Sequence, residues 1–489
     1  MNPPYCYLLR LLLYVSHKII QFQQLTTVLV QFGAIMNTEV TAMKQYEKIV
    51  NDIKQRIEQQ LQPGSKLPSL NEMAKQYHVS KGTVLKAYET LEKQCLIFVK
   101  PQSGFYVAGG IIDENDKSDG YHLETGNPMV NSYLFQEMKQ CFQTAAQMYS
   151  FKTLDLTIRG VDSLNEILPV YLAEDSIYAR QENIYLIQGI MQMLSIFSHS
   201  PFPNHKETIL IEDPSYNFYI RYLKQMKLSV KTIKRNADGI NLKELEHIFK
   251  NDDIKFFYTI PRHHNPLGTS YDHHTRKKIM ELAIQYDVYI IEDDYFSHYY
   301  KLPKYLPLYY FSNRSHCIYL RSYTKTIPFI RIGIAVIPDH FIETMNQMTE
   351  LSYYYSYHMP SLVSQAVLEA YIRSGLYRYQ SEMIDKELQR KIKTVKQITA
   401  SWSQSIAYLV GQPAGCYLTI RFAENIDSKR LVYLLKKEKI YVSSNQNSYY
   451  QGNNPEIRLS LSRISNKELP SVLSQIYHII NHLYLNKKI

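Results

Sequence analysis

The chain is poor in the residues that build covalent or metal-held frameworks. Its 489 residues include five cysteines, Cys6, Cys95, Cys141, Cys317 and Cys416. They are odd in number, widely scattered and free of Cys-x-x-Cys spacing, which argues against a disulfide framework and against a zinc site. A reducing cytoplasm is the natural compartment. Tryptophan occurs once against 43 tyrosines, a bias that reads as compositional drift rather than function. Long apolar runs are scarce as well. The N-terminal candidate, Tyr5 to Val15, is interrupted by Arg10 and followed by His17 and Lys18, so it is too short and too polar to span a membrane. A secretory signal would require a small-residue cleavage site and an exported, cysteine-paired protein behind it. Residues 1–42 are therefore expected to be an extension, poorly ordered or untranslated, with Met36 or Met43 rather than Met1 as the start.

What remains is a globular composition, 45% hydrophobic and 20% charged, in a chain long enough for two or three domains, since single cores stop growing at roughly 250–300 residues. The net charge of +10 is unevenly spread. Residues 43–108 hold ten Lys and Arg against six acids, a net +4 on 66 residues. That concentration permits a polyanionic partner at the N-terminal end.

The same segment has a readable pattern. Tyr46, Ile49, Val50, Ile53, Ile57 and Leu61 recur at three- and four-residue steps, predicting an amphipathic helix ended by Pro63-Gly64. Ser69 and Glu72 are spaced as a capping box for a second helix with Met73, Ala74 and Tyr77 inward. His78-Val79 makes a turn, Ser80 caps a third helix, and Val84, Ala87, Tyr88 and Leu91 form its apolar stripe. The front of that helix carries Lys81, Gly82, Thr83 and Lys86. Cationic and hydroxyl groups there are placed as a recognition helix places them, toward base edges and phosphates. Leu96–Val99 and Phe105–Val107, joined by Lys100 to Gly104, read as a hairpin wing. A plain three-helix bundle with solvated lysines would account for the charges alone but not for the whole pattern.

Pro63-Gly64, Leu67-Pro68-Ser69, the run Val79 to Val84, Leu91-Glu92 and Ser103-Gly104 resemble the GntR-type winged helix-turn-helix. The resemblance implies double-stranded DNA as partner and Ser69, Asn71, Ser80, Lys81, Gly82, Thr83, Lys86, Ser103 and Gly104 as its contacts. Asn71 stands where the family commonly has an arginine, and Cys95 where it has a glycine.

Residues 109–122, glycine-bounded and polar, are predicted to be a flexible linker between residues 43–108 and a large region, 123–489. In that region, helical segments alternate with buried strand runs at 184–187, 208–211, 254–259, 288–291, 317–320 and 332–336. The alternation predicts an α/β unit around a largely parallel sheet, whose ligands would sit at the strand carboxyl ends.

The polar motifs follow those runs. Gly189, with Ile190 and Met191, opens a helix whose free amides suit a phosphate. Tyr216 offers an aromatic face and Asn265 a side-chain amide beside a tight turn. His263 and His264 are neighbours on a turn and diverge, so no metal site is expected. In the run Glu292 to Tyr295, Asp293 and Tyr295 share one face of an extended segment while Asp294 faces away. Pyridoxal phosphate needs a carboxylate at its ring nitrogen, donors at its phenolic oxygen and a lysine for covalent attachment. Asp293, Tyr295 with Asn265, and Lys325 supply these, and Ser322, Thr324 and Arg331 surround the lysine with donors suited to a phosphate. Each residue alone has a plainer structural explanation; the ordered set is what carries the reading.

That ordered set resembles the aminotransferase-like fold of pyridoxal phosphate enzymes, fold type I, from about Leu123 to the C-terminus. Joined to a GntR-type head it resembles the MocR subfamily of transcriptional regulators. The resemblance implies pyridoxal 5'-phosphate held by Gly189, Tyr216, Asn265, Asp293, Tyr295 and Lys325, a carboxylate-binding role for Arg458, and a homodimer. Ile190 and Met191 replace small or polar residues of the phosphate loop, Arg331 comes one residue early, and Arg321 occupies a position usually small. The expected function is a cytoplasmic regulator, activator or repressor, that binds an operator and senses a small amine or amino-acid-like effector. No catalytic role is expected of its site residues. The alternatives are a working aminotransferase with a DNA-binding head and a regulator that has lost the cofactor. The target pathway, among them vitamin synthesis, amine catabolism and transport or efflux, is left open.

Overall fold

A computed structural model of the chain describes residues 45–59, 61, 64–93, 96–100, 102–107, 120–126, 132–149, 159–297, 305–327, 329–356 and 359–486. The expectations for residues 1–42, Pro63, Cys95 and residues 109–119 lie outside the described residues. The chain divides into two units, with the break after Lys117.

The first unit contains helices α1 (Gln45–Gln59), α2 (Leu70–Tyr77) and α3 (Lys81–Lys93) and strands β1 (Ile97–Lys100) and β2 (Gly104–Val107). The apolar steps of the sequence become one core: Ile49, Val50 and Ile53 meet Met73 and the α3 stripe of Val84, Ala87, Tyr88 and Leu91. Ala74 and Tyr77 pack against it partly buried. The capping box forms, with the Glu72 amide donating to Ser69 Oγ (3.3 Å) and the Ser69 amide to Glu72 Oε2 (2.7 Å). His78 adopts a left-handed conformation (φ 52°) that ends α2 and turns the chain. Ser80 then caps α3 by accepting from the Thr83 amide at 3.2 Å. β1 and β2 pair antiparallel with Phe98 opposite Tyr106 and Lys100 opposite Gly104, so the wing's strands reach one residue further toward the tip than the apolar pattern predicts.

The second unit is built on a seven-stranded sheet. Its strands are preceded by β3 (Tyr121–His122) and are β4 (Ile184–Ile187), β5 (Thr208–Asp213), β6 (Val230–Lys234), β7 (Ile254–Thr259), β8 (Tyr289–Asp293), β9 (Cys317–Ser322) and β10 (Gly333–Val336). The order is β4-β10-β9-β8-β7-β5-β6. All pairs are parallel except those of β10, which runs against both neighbours. Alternate residues feed two cores on opposite faces: Tyr185, Ile187, Ile211 and Ile291 face one, and Ile184, Leu186, Leu210 and Ile290 the other. This two-sided burial is why the strands read as unbroken apolar runs. β6 gave no such signal because it is an edge strand in which only Ile233 is buried, between exposed or half-exposed polar neighbours.

C-terminal to this sheet, β11 (Ala407–Leu409), β12 (Tyr417–Phe422), β14 (Ser443–Ser444) and β15 (Glu456–Ser460) form an antiparallel sheet in the order β11-β12-β15-β14. β13 (Ile440–Tyr441) pairs in parallel with β3. This corrects the linker's end. Tyr121 and His122, predicted to be linker, are a strand: the Tyr121 amide donates to the Lys439 carbonyl (2.7 Å), the Leu123 amide to that of Tyr441 (2.8 Å), and the His122 ring stacks on Tyr441 at 4.6 Å. Two residues are too few to show a period. No described helix is long and apolar enough to cross a membrane.

Candidate functional site

Four adjacent parallel strands deliver their polar carboxyl-terminal residues to one edge of the sheet. β5 leads to Tyr216, β7 to Asn265, β8 to Asp293 and Tyr295, and β9 to Lys325. The loops after β5 and β7 are tied together by buried Glu212, which accepts from the Ile260 amide at 2.9 Å and faces His264 at 3.3 Å. His264 and His263 thus serve the loop that carries Asn265. His263 holds a left-handed φ of 53° and packs edge-on against Phe296.

Asp293 is buried, with Oδ2 accepting from the Tyr258 hydroxyl (2.6 Å) and Oδ1 from the Tyr295 amide (3.1 Å). Tyr258 lies opposite Ile291 in the β7–β8 register, which puts it on the same face as Asp293. Burial, with a smaller push from Asp294, raises the Asp293 carboxyl to about 7, although the Tyr258 hydroxyl and the Tyr295 amide pull it down. Asp294 points elsewhere, into an ion pair with Arg262 and a hydrogen bond from Tyr319 (2.6 Å).

Lys325 sits in the turn after β9, where the Thr326 and Ile327 amides donate to the Tyr323 carbonyl. Its Nζ donates to the Tyr417 hydroxyl at 3.1 Å. Gly126 packs so closely there that a Cβ would lie 1.9 Å from Tyr417 Oη and 2.8 Å from Lys325 Nζ. Arg458 comes from β15, diagonal to Tyr417 of β12 on one sheet face, since Tyr417 pairs with Ser460 and Thr419 with Arg458. Its guanidinium lies 4.3 Å from the Tyr417 ring centre. Nη1 donates to Asn265 Oδ1 (2.9 Å), and Nη2 to the Glu124 carbonyl (2.7 Å) and Ser443 Oγ (3.3 Å). The structure therefore brings Lys325, Asn265, Arg458 and Tyr417 together. Tyr216 belongs to the same group, because its hydroxyl, pushed up to about 12 first by burial and then by Asp293, also feels Tyr417, Arg458 and Arg331.

Several expected contacts are arranged differently. The Tyr295 hydroxyl donates to the His263 carbonyl at 2.6 Å, so its proton is already engaged. Ile190 and Met191 turn their side chains to the hydrophobic core, which leaves the backbone at the start of helix Ile190–His199 as what they can present. Before that helix, a Cβ on Gly189 would meet nothing within 4 Å, an open approach to amides at the positive end of a helix dipole. Ser322 Oγ and Thr324 Oγ1 bond each other at 2.9 Å, and Arg331 is exposed. Arg321, the residue in a normally small position, is fully buried and paired with Asp175 at 2.9 Å. It is a structural cation there.

Sequence reading missed Tyr258, Gly126, Glu124, Ser443 and Tyr417. Tyr258 and Ser443 become visible only with the strand register. Gly126 and Tyr417 carried a local signal, a Gly-Asn-Pro run and a tyrosine after Gly415-Cys416, but nothing in sequence joins two positions so far apart along the chain.

These residues fit pyridoxal phosphate. A buried carboxyl served by two uncharged donors and raised to about 7 is one that a cationic ring nitrogen would relieve. Among the described residues, Ser215 Oγ and Arg458 Nε are buried without a hydrogen-bond partner. Lysine, carboxylate, aromatic face and open helix start all lie along one sheet edge.

In the first unit, Ser69, Asn71, Ser80, Lys81, Gly82, Lys86 and Ser103 are exposed, and Thr83 and Gly104 half-exposed. Lys86 Nζ lies 4.7 Å over the Tyr46 ring, and Ser103 Oγ bonds the Tyr106 hydroxyl at 2.6 Å. Phe98 stacks on Tyr106 at 5.8 Å, with Lys100 Nζ 4.5 Å from the Tyr106 ring. This basic aromatic face of the wing was not anticipated; alternation across two four-residue strands is a weak signal.

Comparison with known proteins agrees with both halves. Residues 121–476 match the family model for aminotransferase class I and II, and residues 45–107 that for bacterial regulatory proteins of the gntR family. The "Uncharacterized HTH-type transcriptional regulator YcxD" of Bacillus subtilis is 29% identical over 453 residues, covering 90% of this chain and all of that protein. The HTH-type transcriptional regulator NorG of Staphylococcus aureus is 25% identical over 450 residues, 84% of this chain and 98% of its own. Among solved structures, the multiple substrate aminotransferase of Thermococcus profundus superposes with a TM-score of 0.66 at 18% identity, over 76% of this chain and 94% of that one. The kynurenine aminotransferase of Pyrococcus horikoshii gives 0.66 at 20%, over 75% and 92%. The order of a gntR-type head before an aminotransferase-like domain is that of the MocR regulators, and the second domain implies pyridoxal phosphate as cofactor. The chain belongs to the aminotransferase class I and II family and carries a gntR-family DNA-binding domain ahead of it.

Proposed function

We propose that the protein is a cytoplasmic, dimeric transcriptional regulator that holds pyridoxal phosphate on Lys325 and changes its operator affinity when an amine- or amino-acid-like effector enters the site. The observation that carries this is the convergence of Lys325, Asn265, Tyr417 and Arg458 in a domain joined to a helix-turn-helix module. When bound, the cofactor supplies an electrophilic carbon and an electron-withdrawing ring. Asp293 would pair with the ring nitrogen, Tyr216 would cover the ring face, and Asn265 would offer its amide nitrogen, its oxygen being engaged by Arg458. The backbone after Gly189, with Ser322, Thr324 and Arg331, would serve the phosphate. Arg458 would receive the effector's carboxylate.

The two units are joined through the chain itself. The strand that leaves the linker, β3, continues into Leu123–Gly126, whose Leu123 carbonyl accepts from the Ser460 amide (2.7 Å), Glu124 carbonyl from Arg458 and Thr125 carbonyl from Ser462 Oγ (3.0 Å). A carboxylate arriving at Arg458 competes with the Glu124 carbonyl and so acts on the segment tethered to the head. A ligand shifts such an equilibrium only by its differential affinity for the two arrangements.

In the head, Lys81→Ala should weaken operator binding on all sequences and lower the slope of log affinity against log salt by about one unit, measured by binding titrations at several salt concentrations. An unchanged slope would remove Lys81 from the phosphate contacts. The second reading, a working aminotransferase, draws on the aminotransferase fold and the presence of lysine, carboxylate and arginine. Steady-state turnover of an amino donor with a 2-oxo acid at roughly 1 per second or faster would favour it.

A further inference from the structure

We infer that Tyr417 is a two-ended positioning residue of this site, its hydroxyl holding the amine of Lys325 and its ring face holding the guanidinium of Arg458. The inference rests on the assignment of the cofactor to Lys325. Tyr417 is buried on β12, and three independent contacts fix it between the two ends. The hydroxyl accepts from Lys325 Nζ at 3.1 Å, the ring centre lies 4.3 Å from the Arg458 guanidinium carbon, and the Tyr295 ring stands 6.2 Å away at a 33° tilt. The Gly126 backbone closes over the hydroxyl so tightly that no side chain fits there. The Lys325 amine is thereby held in one place before the cofactor arrives, and a guanidinium over an aromatic face is oriented without using its remaining N–H groups. Arg458 keeps a buried Nε without a partner among the described residues, a donor left for an incoming carboxylate.

The two ends separate by mutation. Tyr417→Phe deletes the hydroxyl and keeps the ring; Tyr417→Leu deletes both. The full chain is prepared free of cofactor, and covalent capture of pyridoxal phosphate is followed by visible absorbance and by mass after borohydride reduction. Affinities are then measured for pyridoxamine phosphate, which lacks a carboxylate, and for N-(5'-phosphopyridoxyl)-L-alanine, which has one. Tyr417→Phe should slow capture about tenfold, the effect of one hydrogen bond, while keeping the wild-type preference for the carboxylate probe. Tyr417→Leu should slow capture equally and lose about five- to tenfold of that preference. Wild-type capture by Tyr417→Phe, or an equal loss of preference in both variants, would overturn the assignment. Lys325→Ala is the control: a covalent label that survives it would overturn the placement of the cofactor itself, and this inference with it, whereas a lost label with unchanged Tyr417→Phe kinetics overturns the inference alone.

Discussion

Lys325→Ala should abolish covalent retention of pyridoxal phosphate. The wild-type protein, incubated with the cofactor and freed of excess, is expected to show the visible band of the lysine-bound form and a mass increase after borohydride reduction; the variant should show neither. The expectation is specific to this lysine. Lys325 follows the strand next to the one that ends in Asp293, its amine is held by Tyr417 against Gly126, and Arg458 lies across the same tyrosine. Reversible binding should persist in the variant, because Tyr216, Asn265, Asp293 and the backbone after Gly189 lie on other strands and loops. A visible band retained in Lys325→Ala would mean that another lysine carries the cofactor, and a wild-type protein that never acquires one would favour a regulator without it.

Asp293→Asn should cost roughly two orders of magnitude in affinity for pyridoxal phosphate, about 3 kcal/mol, because it removes a buried anion from a cationic ring nitrogen. The same substitution should stabilise the cofactor-free protein at alkaline pH. Burial, then the neighbouring Asp294, raises the folded-state carboxyl to about 7 from an ordinary value of 3.8. The folded chain thus holds this proton more tightly than the unfolded chain, so the aspartate's contribution to stability falls as pH rises from about 4 to about 7 and is level above that. The substituted asparagine has no proton to lose. Cofactor-free Asp293→Asn should therefore melt like the wild type near pH 4 and above it at pH 8, by on the order of 1–4 kcal/mol in unfolding free energy. Glu292, also raised to about 8 by burial and then Asp294, is present in both proteins and cancels in the difference. Calorimetry at pH 4, 6 and 8 would check this, and a difference that shrinks with rising pH would contradict it.

The legible parts of the molecule were those with a local or periodic cause. The head was readable because its core uses helical spacing, from Ile49 to Leu91, and its caps use fixed offsets, Ser69 to Glu72 and Ser80 to Thr83. The large sheet was readable because strands covered on both faces become continuous apolar runs; β6, at the edge, escaped for the converse reason. In the site, the choice of Asp293 over Asp294 followed from strand alternation alone, and the two carboxylates do take different partners. Side-chain direction beyond that was not readable. A helix does start at Ile190, as its place after Gly189 predicts, but that the Ile190 and Met191 side chains pack against the core was not readable from position alone. Tyr295 lies not on the extended strand but in the turn after β8, where its amide donates to Asp293 Oδ1 and its hydroxyl reaches the His263 carbonyl, a partner supplied by the packing of two loops. Tyr417 needed the β12–β15 register and Gly126 the pairing of β3 with β13, both set by tertiary structure.

The central claim, that the aminotransferase-like domain acts as a receptor controlling DNA binding, is tested most directly by operator affinity under ligand. An operator fragment mapped by genomic footprinting would be titrated with the cofactor-loaded protein in the presence of each common amino acid and biogenic amine, in the wild type and in Lys325→Ala. The account predicts that at least one compound shifts the wild-type Kd by about fivefold or more, a coupling of about 1 kcal/mol, and that the same compound leaves Lys325→Ala unmoved. A wild-type affinity that no compound changes, or an equal shift in the lysine variant, would contradict it.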